Sequence, residues 1–126
     1  MIGRREFIGT AALGLLAAHA PALAAGASME EIYGLIGQLK AVPGKRAELV
    51  AILLEASQAM EGNLLYLVAE DLEDPDSIWI TEVWRTRTDH ANSLKPAAVQ
   101  AAIARARPLI GGFGVRAETR PVNHAG

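Results

Sequence analysis

The chain has 126 residues, 51% of them hydrophobic and 21% charged, with a net charge of -2 at pH 7 and no cysteine. One domain is the expectation at this length, and the apolar share is too high for disorder. The charge balance excludes a basic nucleic-acid footprint, and the missing cysteines exclude disulfides and thiolate metal sites.

The first residues read as an address rather than as fold. Gly3-Arg4-Arg5-Glu6-Phe7-Ile8 leads into a short apolar run, Gly9 to Ala20, and then Ala22-Leu23-Ala24. A charged start, an apolar middle and a small-residue end are the three parts of an export signal. The Arg4-Arg5 pair ahead of Phe7-Ile8 resembles the twin-arginine type, with Gly3 and Gly9 departing from that pattern. Residues 1–24 are therefore expected to be a signal peptide and 25–31 a linker, the mature protein being exported to the periplasm. The apolar run is shorter than the roughly 20 residues that cross a bilayer, so no stable membrane span is expected after export.

Ile32 to Val42 alternates well enough for a strand, with Gly34 and Gly37 either weakening it or admitting a close neighbour. Pro43-Gly44 is a turn. Lys45 to Glu61 has helical period: Leu49, Ile52, Leu53, Ala56 and Met60 make one apolar stripe, and Leu54 falls outside it. Gly62-Asn63 tolerates the left-handed backbone that closes a helix. Leu64 to Asp71 is the second strand, and the acidic turn Glu73-Asp74-Pro75-Asp76 fits a hairpin to the third, Ser77 to Trp84. Thr86, with Asp89 three residues later, starts a short helix through Leu94. Pro96 suits the first turn of another, Ala97 to Arg107, with Val99, Ala102, Ile103 and Ala106 as its buried stripe. Gly111-Gly112 is expected to end that helix and Phe113 to Arg120 to be the last strand, leaving 121–126 as a loose tail.

This order, β-α-β-β-α-β, predicts an α+β ferredoxin-like fold, a four-stranded antiparallel sheet with helices on one face. The bare face would carry residues such as Trp79 and Val83, and a patch of that kind is expected to be covered by a homodimer contact through the sheets.

Alternation along the third strand puts Ile78, Ile80, Glu82 and Trp84 on one face and Trp79, Thr81 and Val83 on the other. A carboxylate between an isoleucine and a tryptophan on a buried face must find a partner or shift its pKa. His90 follows on the short helix. His19, His90 and His124 are too far apart in sequence to have metal-ligand spacing, so no metal site is expected.

Val42-Pro43-Gly44-Lys45 entering the first helix, Gly62-Asn63-Leu64-Leu65-Tyr66 entering the second strand, and Glu82-Val83-Trp84 with His90 six residues on together resemble the antibiotic biosynthesis monooxygenase superfamily. That is a family of dimeric α+β barrels that includes quinol monooxygenase-like proteins, and the resemblance spans about residues 32–120. It implies a homodimer, and a pocket between helices and sheet for oxygen chemistry on a small aromatic substrate without flavin, metal or other cofactor. In that reading Trp84, Ile80, Tyr66, Leu94 and Phe113 line an apolar pocket. His90 is the base that favours the phenolate, and Glu82 orients or charge-balances it. Two other readings stay open. Relatives of this fold bind or break down heme with an asparagine on strand one and a later histidine as axial ligand; here the strand-one position is near Gly37, and residues 97–107 contain no histidine. A non-catalytic dimeric binding or stress-response module is the other. A water-filled cavity with Glu82, Trp84 and His90 on its wall would favour catalysis, and a pocket filled by side chains would favour the module.

Overall fold

The computed structural model of the chain describes residues 31–58 and 60–123. The expected signal segment, residues 25–30 of the linker, His19 and His124 lie outside the described residues. The elements are β1 (Tyr33–Ala41), α1 (Arg46–Ala56), β2 (Asn63–Glu70), β3 (Ser77–Trp84), α2 (Arg87–Asn92), α3 (Ala97–Ala106), a 3-10 turn (Arg107–Leu109) and β4 (Ile110–Thr119). The strands make one antiparallel sheet in the order β2-β3-β1-β4. Each helical crossover therefore returns one strand beyond its start, and the central β1 and β3 fill the gaps. This is the ferredoxin-like arrangement expected from the sequence, with its helices packed on the sheet.

Helix positions follow the apolar stripes. In α1 the buried residues are Leu49, Ile52, Leu53 and Ala56, and in α3 they are Val99, Ala102, Ile103 and Ala106. Both stripes press on Leu39, Ile78 and Ile80 of the central strands to make the main core. Thr86 caps α2 by accepting a hydrogen bond from the backbone N–H of Asp89 at 2.9 Å.

Two boundaries differ from the sequence reading. The first helix ends at Ala56, not Glu61: the Ser57 hydroxyl donates to the Leu54 carbonyl at 2.9 Å, the local bond by which serine competes with helix continuation. Met60 therefore reaches the core from a loop. At the other end, α3 stops ahead of Pro108, which has no N–H to continue the ladder. Gly111 and Gly112 are not its terminator; they lie inside β4, which begins at Ile110 rather than Phe113.

The hairpin between β2 and β3 is tied to the start of α1. Asp71 Oδ1 accepts from the N–H groups of Glu73 and Asp74, and Arg46 Nη1 donates to the carbonyls of Asp71, Asp74 and Ser77 at 2.9–3.2 Å. Among the described residues, no helix covers the other face of the sheet. There Ile36, Leu65, Leu67 and Val115 are 37, 43, 52 and 58% exposed, beside the half-buried Trp79 and Val83.

Candidate active site

The helix-side face of β3 carries Ile78, Ile80, Glu82 and Trp84, none more than 2% exposed. A carboxylate this deep is costly unless its oxygens are satisfied. Only one of them is: Trp84 Nε1 donates to Glu82 Oε1 at 2.9 Å. This pair is two residues apart on one strand, so the pleat itself sets the two side chains side by side.

The short helix α2 delivers His90 to the same spot. Its ring is 5.4 Å from the Trp84 ring, edge to face, and Nε2 lies 3.9 Å from Glu82 Oε1, too far for a hydrogen bond. Glu82 Oε2 and His90 Nε2 are both buried without a hydrogen-bond partner. The acid, indole and imidazole thus lie side by side.

Their charge states differ from the sequence reading. Burial pushes the Glu82 carboxyl up to about 7, against the opposing pull of the Trp84 hydrogen bond and of Arg116. Burial pushes His90 down to about 4, with Arg116 adding to the fall and Glu118 opposing it. At neutral pH the imidazole is thus uncharged, and Glu82 is the group that titrates there. The expectation of His90 as the near-neutral base, with Glu82 orienting or charge-balancing it, is not the one these shifts favour. The cause is desolvation, which disfavours the charged form of each group and so moves an acid up and a base down.

The remaining sequence candidates are spread out. Tyr66 faces Glu82 directly across the β2–β3 ladder, and burial and the Glu82 charge both raise its hydroxyl pKa. Ile80 is the next residue on that face but belongs to the main core, while Leu94 touches both that core and the Tyr33–Leu35–Trp84 cluster. Phe113 is not brought in. It pairs with Leu39, whereas Glu82 pairs with Leu35; four residues of strand offset it by roughly 13 Å along the sheet, with β1 between them.

Tyr33 and Met60 belong to the cluster and were missed. Tyr33 sits opposite Trp84 in the β1–β3 register, and its ring is 5.7 Å from that of His90. Its hydroxyl donates to Glu118 Oε2 at 2.6 Å. Arg87 covers the Tyr33 ring at 4.4 Å and donates to the same carboxylate at 2.8 Å. Burial and Glu118 both raise the Tyr33 pKa, so it is a neutral donor. Met60 and Leu94 pack over Tyr33, Leu35 and Trp84.

A cleft of about 510 Å³ opens where the end of α1 and the following loop meet α2 and α3. The expectation that Glu82, Trp84 and His90 form a cavity wall fails for this cleft, since none of them lines it. Met60 does, standing between it and the buried cluster. Among the described residues, no three histidines or acids group as metal ligands, and no helix is long and apolar enough to cross a membrane.

The architecture is a ferredoxin-like α+β sheet with a buried acid, indole and imidazole at one end of its covered face. The family model for antibiotic biosynthesis monooxygenase matches residues 32–105, and the chain belongs to that family. Among solved structures it is similar to a candidate antibiotic biosynthesis monooxygenase from Chloroflexus aurantiacus J-10-fl. That pair shares 50% identity at a TM-score of 0.74, over 76% of this chain and 98% of the other. A second candidate of the same description, from Caulobacter crescentus CB15, is 19% identical with a TM-score of 0.68, over 75% of this chain and 92% of its own. A conserved protein from Methanosarcina mazei Go1 is 16% identical with a TM-score of 0.62, over 72% of this chain and 93% of its own. These two show the fold alone. No curated protein matches.

Proposed function

We propose that the domain is a cofactor-independent monooxygenase acting on a quinol or related electron-rich phenol, and that Glu82 takes the phenolic proton. The observation that carries this reading is the pair of buried, unpartnered atoms, Glu82 Oε2 and His90 Nε2, beside the Trp84 indole. A phenolic hydroxyl answers both: it donates to the carboxylate and accepts from the neutral imidazole N–H. Proton loss leaves a phenolate, which gives electrons to dioxygen far more readily than the phenol does. One oxygen atom then enters the ring and the other leaves as water. The substrate supplies all four electrons, so a hydroquinone and dioxygen yield a hydroxylated quinone and water. The apolar walls keep bulk water from the anion and strengthen the hydrogen bonds to it.

The test is oxygen-electrode screening of the purified protein against a panel of quinols and polyphenols. Consumption of one dioxygen per substrate with the hydroxylated quinone as product is the expected result. A folded protein that consumes none across the panel sinks the reading.

The same proposal takes the working form to be a homodimer joined through these sheet faces, because Ile36, Leu65, Leu67 and Val115 are exposed there. Leu67→Asp would bury an unpaired carboxylate twice across a two-fold contact. At several kcal/mol per buried charge, sedimentation should report a dimer weakened by about 100-fold or more. A Leu67→Asp protein as dimeric as the parent would rule this face out. The twin-arginine-type reading of residues 1–24, with a family match that begins only at residue 32, supports work outside the cytoplasm.

A further inference from the structure

We propose that the cleft between α1, α2 and α3 is the entrance to the Glu82–Trp84–His90 cluster, that Met60 is its movable gate, and that its acidic lining admits neutral or cationic phenols and turns away carboxylated ones. This rests on the cluster being the reactive site and adds the route and the charge class of the substrate.

The reactive groups of the cluster are nearly shut off from solvent: Glu82, Trp84 and His90 are 2, 0 and 5% exposed. A substrate reaches them only if something moves. On the cleft side the cover is the side chain of Met60, which lines the cleft and packs against the Tyr33–Leu35–Trp84 cluster. Methionine suits that place because its unbranched thioether repacks at little cost. It also sits on a loop rather than in a helix, so no backbone ladder has to break for it to swing. Gly62, at φ +81°, lies so close to Asp89 that a Cβ would collide with the carboxylate. The Gly62 carbonyl accepts from the Arg85 N–H at 2.8 Å. The Met60 carbonyl accepts from the Asn63 N–H at 3.2 Å, so the loop backbone is pinned and the swing is that of the Met60 side chain alone.

Helix α2 forms a wall on both sides. Asp89 in its first turn, Asn92 at its end and Ser93 just beyond face the cleft, while His90, between them in sequence, is buried against Trp84. A displacement that opens the gate therefore delivers a ligand directly to the imidazole. At about 510 Å³ the cleft falls in the range that holds small ligands, and its floor includes the apolar Ala56, Val99 and Ala102.

Charge gives the ligand class. The lining includes Glu55, Glu61 and Asp89 and no lysine, arginine or histidine. Arg105 pairs with Glu55 at 3.0 Å, which leaves Glu61 and Asp89 to set a negative potential at the mouth. A carboxylated phenol would pass two like charges before meeting Glu82, a third acid. A neutral quinol pays no such penalty and an aminated one gains.

The experiment reads access to Trp84 without turnover. The chain has two tryptophans, so Trp79→Phe leaves Trp84 as the sole indole emitter. In that background Met60→Ala should raise quenching by acrylamide and by caesium several-fold, with iodide unchanged, and adding Glu61→Gln should shrink the caesium advantage. Unchanged acrylamide quenching overturns the gate, and equal gains for iodide and caesium overturn the charge filter. If Trp79→Phe fails to fold, solvent exchange of the Trp84 indole N–H gives the same readout in Met60→Ala alone: acceleration by about tenfold or more supports the gate and an unchanged rate overturns it. For the ligand class, Trp84 emission should report 4-(2-aminoethyl)phenol binding about tenfold more tightly than 4-hydroxyphenylacetate, and equal affinities overturn it. Because none of these needs catalysis, their failure is separable from failure of the oxygen-uptake assay.

Discussion

Glu82→Gln lowers quinol-dependent oxygen uptake by about 10²–10⁴-fold, the scale of losing a general base, in a protein that still folds. Glutamine keeps the shape and, through its amide oxygen, can go on accepting from Trp84 Nε1, now 2.9 Å from the carboxylate. What it removes is the one titrating oxygen pair in the cluster. The pH profile carries the assignment. With the Glu82 carboxyl held up to about 7, the basic form accumulates as pH rises through neutrality, and activity should rise with it. A histidine base pushed down to about 4 would already be fully deprotonated at pH 6 and would give a flat profile there. A wild-type profile that is level from pH 5.5 to 8.5 would return the role to His90. The groups facing this carboxyl come from every packed element: Trp84 on β3, His90 on α2, Tyr66 on β2 and the Arg116 charge from β4.

The same shifts predict an unusual stability curve. Glu82 has a folded pKa near 7 against 4.5 for the free group. The unfolded chain therefore loses that proton first, and stability falls as pH rises from about 4.5 to 7. His90 has a folded pKa near 4 against 6.5, so its contribution falls as pH drops from about 6.5 to 4. The two slopes oppose and cancel over most of the interval. The Glu82→Gln protein loses only the first of them, so on acidification from pH 6.5 to 4 it should be destabilised more than the parent, by about 3 kcal/mol at most. Urea melts at a series of pH values separate the two curves.

How much of this the sequence disclosed depends on the length scale of each feature. The element order was legible because the stripes Leu49-Ile52-Leu53-Ala56 and Val99-Ala102-Ile103-Ala106 are local periodicities, and those same residues are buried. The odd place of Glu82 was legible for the same reason, as alternation along one strand. Tyr33 was not. Nothing near it in sequence marks it; its role comes from lying opposite Trp84 in a ladder whose partners are 51 positions apart. Met60 was assigned to a helix stripe because its spacing from Ala56 continues the period, and a serine bond one turn earlier decided otherwise. Protonation states were the least accessible. Residue type suggests that histidine is the neutral-pH base, but desolvation exchanges the two groups' ranges, and the depth of burial is a property of the assembled sheet and helices.

Trp84 is where stability and chemistry meet, and two substitutions there should part them. Trp84→Ala removes a side chain with no solvent exposure, and large aromatic truncations in a core cost about 3–5 kcal/mol. Against a total of about 5–15 kcal/mol for a domain, that lowers the melting temperature by roughly 15–30 °C. Trp84→Phe keeps most of the apolar volume and the contact with His90 but has no indole N–H to give Glu82. That bond at present pulls the carboxyl pKa down against burial, so its loss lets the pKa climb further. The phenylalanine protein should fold, melt moderately below the parent, and reach half-maximal oxygen uptake at a higher pH. A midpoint that stays where it was would mean that the indole holds the carboxylate in place without tuning it, and that Glu82 owes its basicity to desolvation alone.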